Sequence, residues 1–249
     1  MNKKNSAIIL GIIILALAGA FYFNQRGERA NITAPEVKTL SEEDQIKVDN
    51  AEAMNIAGLD KVEKLDQINK NDHIQGSSTA PVKMIIYGDY ACPYTAQFMD
   101  TVKIVQAEFK DKLAVIFRHF PLKIHNMAYG ASMAVECAGD QGKFWEMGAK
   151  VFEDNKKNSI NMEQLNQDVK DLKLNAKKFT DCLNNKKFDK KIAADLLTGQ
   201  KGGIVGTPTT LINGEFVIGA TPLEDYTDSS GEQKMGLRSL IQKKLAISN

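Results

Sequence analysis

Between Val82 and Phe120 the chain runs strand, sharp junction, helix, strand, and this order fixes most of what it can fold into. Val82-Lys83-Met84-Ile85-Ile86-Tyr87-Gly88-Asp89-Tyr90 has the unbroken apolar character of a buried strand. Thr95 to Lys110 repeats Phe98, Val102, Val105 and Phe109 on one helical face, and Leu113 to Phe120 is a second strand that stops at Pro121. Two strands joined through one helix make a βαβ unit, which implies parallel pairing. The junction reads Cys92-Pro93-Tyr94-Thr95. Pro93 suits the first helical position, where its missing N–H costs nothing. The unpaired N–H groups and positive dipole end of a first helical turn favour a thiolate over a thiol. Cys92 is therefore expected near the surface as a reactive sulfur, the bland alternative being a buried apolar cysteine.

After this unit the pattern changes. From Asn126 to about Gly199 only helical periodicity appears, in five segments over about 70 residues. Strands return at Thr209 to Ile212 and Glu215 to Ile218, joined by Asn213-Gly214, a strong two-residue hairpin signal. Leu237, Leu240, Ile241 and Leu245 mark a terminal helix. The 249 residues suffice for one core of ordinary size with appendages. A net charge of +1, from 32 basic and 31 acidic residues, gives no reason to expect nucleic acid as a partner.

The N-terminus stands apart in composition. Lys3 and Lys4 precede an uncharged apolar run from Ala7 to Phe23, about 26 Å long as a helix against a hydrocarbon core of about 30 Å. Residues 1–23 read as an N-terminal membrane anchor, with Phe21-Tyr22-Phe23 at the interface; a cleaved signal peptide ending at Ala18-Gly19-Ala20 is the competing reading. On either reading the leading lysines stay inside and the remainder crosses to an oxidising compartment. Residues 24–71 are expected to be a polar linker carrying short helices, one starting at Ser41-Glu42-Glu43-Asp44 and one with the weak stripe Leu59, Val62, Leu65 and Ile68. Residues 72–249 form the working domain.

Asp72-His73-Ile74-Gln75-Gly76 with Ala80-Pro81-Val82, the Cys-Pro-Tyr-x junction, Arg118-His119-Phe120-Pro121-Leu122, His125 with Ala128, Ala134 to Ala138, Gly142-Lys143-Phe144-Trp145, and Gly203-Ile204-Val205-Gly206-Thr207-Pro208-Thr209 occur in order at family spacing. Together they resemble the DsbA-like thiol-disulfide oxidoreductases. The resemblance implies a thioredoxin-like α/β fold with an all-helical insertion at about 126–199. It also implies a catalytic role for Cys92, a cis Thr207-Pro208 bond facing it, and substrate contacts from Pro93, Tyr94, Thr207 and Pro208. The departure is Thr95, which stands where the family has a second, resolving cysteine. With one sulfur, Cys92 can form mixed disulfides that an outside thiol must resolve, as in isomerisation or monothiol exchange. The Thr95 hydroxyl is expected to donate a hydrogen bond to the Cys92 thiolate. Implied partners are cysteine-containing extracytoplasmic proteins and a thiol or membrane redox partner, with no cofactor. The alternative is a redox-inactive binding or chaperone-like module that keeps the same groove.

Cys137 and Cys182 fall in predicted helices of the insertion and are the only intramolecular pair that leaves Cys92 free. A structural disulfide between them is expected; two reduced core cysteines, or one that resolves Cys92, are the other readings. The three cysteines and His73, His119 and His125 lack the short paired spacing of metal ligands, so no metal is expected. His119 and His125 read as structural histidines that tune Cys92 only if the fold brings them close. Asp89 reads as a surface cap or as a proton acceptor. Gly202, Gly203 and Gly206 read as turn residues, because no Walker-type Lys-Ser/Thr pair follows them.

Overall fold

The computed structural model describes residues 65–247. Strand β1 (His73–Gln75) and strand β2 (Val82–Gly88) lead into helix α1 (Pro93–Phe109), a 3-10 turn (Lys110–Lys112) and strand β3 (Leu113–His119). Five helices follow: α2 (Ala128–Gly139), α3 (Phe144–Lys156), α4 (Met162–Asp171), α5 (Ala176–Asn184) and α6 (Asp189–Lys201). The chain then returns through β4 (Thr209–Ile212), β5 (Glu215–Ile218) and a two-stranded ribbon, β6 (Tyr226–Thr227) with β7 (Gln233–Lys234), to helix α7 (Leu237–Ile247).

The main sheet has the order β1-β3-β2-β4-β5. β2 and β3 pair in parallel from Val82↔Leu113 to Gly88↔His119, as the single crossing helix requires. β1, β4 and β5 add antiparallel neighbours. β3 is buried at every position, which explains why both central strands lack polar alternation. One face carries Met84, Ile86, Val115 and Phe117 against α1, the insertion and α7. The other face carries Ile85, Tyr87, Ile116 and Leu211, covered by Leu65, Phe120 and Ile204. Asn213 and Gly214 both take positive φ, 44° and 79°, as the tight β4–β5 hairpin needs. In the insertion, Asn161 and Asn175 cap α4 and α5 by accepting the N–H groups of Gln164 and Lys178.

The structure departs from the sequence reading at its entry point. Leu65 is buried, and Arg118 on β3 donates from Nη1 to the Leu65 carbonyl at 2.8 Å and from Nη2 to that of Gln67 at 2.5 Å. The same guanidinium grips the Asp72 carboxylate through Nε and Nη2 at 3.0 and 2.8 Å. Packing thus begins at least seven residues before the expected boundary at 72, because a buried guanidinium needs several acceptors and this segment supplies them. The expected membrane anchor or signal peptide, and the linker up to residue 64, lie outside the described residues. Among the described residues no helix is long and apolar enough to cross a membrane.

Candidate functional site

β2 ends at Gly88, and the next four residues turn the chain into α1. Cys92 is the N-cap, with extended backbone at φ −81° and ψ 121°, and Pro93 takes the first helical position. The Cys92 N–H donates to the Asp89 carbonyl at 3.1 Å, and the Cys92 carbonyl accepts from the Ala96 N–H at 3.1 Å. Opposite lies the loop before β4, where the Thr207-Pro208 peptide bond is cis. Cys92 Sγ donates to the Thr207 carbonyl at 3.4 Å, so residues 115 positions apart meet at one point. The loop covers the sulfur: Cys92 is only 3% exposed, against the expectation of a cysteine held at the surface. Tyr94 is 65% exposed, and Pro93 is also exposed. Three further apolar side chains stand open on the segments that meet here: Ile124 beside His125, Val205 in the loop before Thr207, and Ile218, whose partner across the β4–β5 pair is Thr209.

Thr95 corrects a second expectation. It is fully buried, and its hydroxyl has no hydrogen-bond partner among the described residues, so it does not reach Cys92. Its place three residues into α1 turns it inward to the sheet, where its methyl group lies 2.9 Å from the position a Cβ on Gly88 would take. Asp89 corrects a third, for it is fully buried and is no surface cap. Its carboxylate accepts the N–H groups of Ala91 at 2.8 Å and Leu122 at 3.0 Å, and His125 Nδ1 at 2.7 Å. Asp89 therefore fastens the cysteine turn to the loop that follows β3.

His119 is buried and donates from Nε2 to Glu136 at 2.7 Å; His73 donates to the other carboxylate oxygen at 3.0 Å. Lys191 adds an ion pair to Glu136 at 2.7 Å and reaches Asp195 at 3.2 Å. Burial opposes ionisation of Glu136, but the two imidazole hydrogen bonds and the ammonium outweigh it and hold the carboxyl well below the usual range. Neither His119 nor His125 hydrogen-bonds to Cys92. Glu136 was missed from the sequence, although a lone acid among Ala134, Val135, Cys137 and Ala138 was the available signal. Cys137 of α2 and Cys182 of α5 are joined, with S–S at 2.01 Å and Cα atoms 5.8 Å apart. Cys92 remains the free cysteine. Among the described residues no group of His, Cys, Asp or Glu is arranged to hold a metal ion.

A central sheet of this order, a Cys-Pro helix start facing a cis-proline loop and a helical insertion between them define a thioredoxin-type fold. The chain belongs to the thioredoxin family: the family described as Thioredoxin matches residues 68–229. Its fold is shared with DsbA-type proteins. The thiol-disulfide exchange protein alpha-DsbA2 from Wolbachia pipientis superposes with a TM-score of 0.62 at 19% identity, covering 84% of this chain and 100% of its own. Alpha-DsbA1 from the same organism gives 0.59 at 24% identity, covering 76% and 97%. BdbD from Bacillus subtilis gives 0.57 at 23% identity, covering 70% and 93%. Among curated sequences, a Na(+)/H(+) antiporter NhaA 1 from Salinispora arenicola is 32% identical over 154 residues, or 61% of this chain and 23% of that protein. A namesake from Mycolicibacterium vanbaalenii is 30% identical over 156 residues, or 57% and 23%. The chain spans about a quarter of the length of these curated relatives, and their antiporter name carries no activity over to it.

Proposed function

We propose that this chain is an extracytoplasmic thiol-disulfide exchange protein that works through Cys92 alone, tethered to the membrane by residues 1–23. The observation that carries this reading is the 3.4 Å approach of Cys92 Sγ to the Thr207 carbonyl beside cis Pro208, with the other two cysteines engaged in their own disulfide. The Thr207 backbone offers an extended peptide strand a partner next to the sulfur. Pro93, Tyr94, Ile124 and Val205 supply exposed surface around it.

The Cys92 thiolate attacks one sulfur of a substrate disulfide, forming a Cys92–substrate disulfide and releasing the other sulfur as a thiolate. A second substrate thiolate, or a small external thiol, then attacks the substrate sulfur of that mixed disulfide and returns Cys92 as a thiolate. The first route reshuffles substrate disulfides with no net redox change. The second leaves the substrate sulfur joined to the external thiol, and a second external thiolate then attacks the external sulfur of that bond, releasing the substrate thiolate and an external disulfide, so that two thiols reduce one substrate disulfide. Thr95 leaves no intramolecular resolving step.

A second reading is favoured by the burial of Cys92 together with the open apolar side chains Tyr94, Ile124, Val205 and Ile218. On that reading the chain is a peptide-binding module without turnover. Reactivation of a disulfide-scrambled substrate in glutathione buffer, comparing the natural chain with Cys92→Ser, separates the two. Under the exchange reading, Cys92→Ser falls to the uncatalysed rate and mass spectrometry finds substrate or glutathione attached at Cys92 of the natural chain. Equal reactivation by both chains, with no adduct, eliminates the thiol mechanism and leaves the binding module.

A further inference from the structure

Asp89 orders the cysteine turn with two different groups. Its carboxylate accepts the Ala91 N–H at 2.8 Å and its carbonyl accepts the Cys92 N–H at 3.1 Å, so both peptide groups ahead of the sulfur are bound to one residue. The carboxylate also holds the loop that follows β3. Among the described residues, residues 121–127 hydrogen-bond at two points to a part of the chain other than themselves and α2, and both end on Asp89 Oδ2: the Leu122 N–H at 3.0 Å and His125 Nδ1 at 2.7 Å. Met127, where this loop enters α2, has a φ of 68°, a region that a residue other than glycine occupies only where its surroundings hold it.

We propose that His125 is a positioning residue for Cys92, acting through Asp89. An ionised carboxylate can only accept hydrogen bonds, and Asp89 is closed to solvent, so its donors must come from the protein. Two of the three are backbone N–H groups; His125 supplies the third from a side chain. Without the imidazole the buried carboxylate loses a donor it cannot replace in place, and the relief open to it is to swing toward water. That movement gives up the Ala91 N–H and loosens the turn that sets Cys92 Sγ 3.4 Å from the Thr207 carbonyl. The loop freed with it carries the exposed Ile124, so the same pair fixes where that side chain stands relative to the sulfur. The inference rests on the exchange reading, because the geometry it explains is the one from which Cys92 attacks a disulfide.

The test is the single-turnover reaction of the full chain with 4,4′-dithiodipyridine. The Cys92 thiolate forms a disulfide with one half of the reagent, and the other half leaves as thiopyridone, whose absorbance gives the rate. His125→Ala should slow this step about tenfold, and His125→Asn, whose Nδ2–H stands where the imidazole Nδ1–H does, should restore it to within about twofold. Amide hydrogen exchange separates positioning from a general loss of stability: in His125→Ala the Ala91, Cys92 and Leu122 amides should exchange faster while those of β2 and β3 keep their protection. Should His125→Ala fail to fold, Asp89→Asn takes its place, since one acceptor oxygen then faces three donors; the same slowing is expected, and an unchanged rate there overturns the inference. Equal rates in the natural chain and His125→Ala, or a slowing that His125→Asn does not reverse, also overturn it, while a reactive Cys92 leaves the exchange reading standing. A natural chain whose Cys92 does not react at all overturns both.

Discussion

Thr95 sits where chemistry and packing make different demands on one side chain. Its hydroxyl is buried without a partner, and such a group costs about 1 to 3 kcal/mol of desolvation. Thr95→Val should therefore raise stability by about 1 kcal/mol, read as a higher urea midpoint at unchanged slope. If the hydroxyl served the sulfur, the same variant would lose exchange activity; full activity in a more stabilised protein is the expected outcome. Cys92 could be named from the sequence because a proline and a helical stripe follow it. Its burial could not, since the covering loop comes from 115 residues away. The same holds for Asp89, whose partners Leu122 and His125 belong to a loop beyond β3.

At the level of elements, two carboxylates hold the insertion in opposite ways. Glu136 draws His73, His119 and Lys191 onto one buried point and so joins β1, β3, α2 and α6. Glu136→Ala strands two imidazoles there and leaves Lys191 with Asp195 as its one carboxylate, and should cost about 3 kcal/mol in urea unfolding. Asp154 of α3 faces Asp168 of α4, and burial, followed by that neighbouring carboxylate, raises its pKa to about 6, with Lys157 and Lys150 acting in the other direction. A carboxyl whose folded pKa lies above its ordinary 3.8 stabilises the fold in acid, and that contribution is lost as pH rises from about 4 through 6. Asp154→Asn should match the natural chain near pH 4 and melt higher at pH 7, as followed by thermal denaturation across that range. Periodicity of 3.6 residues places the five helices of the insertion, and it predicts α5 from Ala176 to Asn184 as observed, but it stops at Phe152 and Leu197 where α3 and α6 run on to Lys156 and Lys201. Strand β1 was not read as a strand, because three residues are too few to show a period and only its partner β3 defines it.

For the molecule as a whole, the Cys137–Cys182 bond closes a loop of 45 residues within the insertion. Replacing both cysteines by alanine should remove about 4 kcal/mol on the loop-entropy model, measured by urea unfolding of the oxidised natural chain against the double variant. Exchange activity at Cys92 should persist wherever that variant stays folded, which also excludes either cysteine as its resolving partner. The order of the sheet was legible in outline, since the βαβ unit and the Asn-Gly hairpin each impose one pairing. How the pieces close on one another was not, because it depends on buried charges whose partners lie far apart in sequence. Arg118 is one of these, and its position has a mechanical consequence. It grips the carbonyls of Leu65 and Gln67 and the Asp72 carboxylate from an interior strand of the sheet. A pull on the chain ahead of residue 65 is thus delivered to β3 and the middle of the sheet before it loads the edge strand β1. Traction from that side therefore loads β3 against both of its neighbours, β1 and β2.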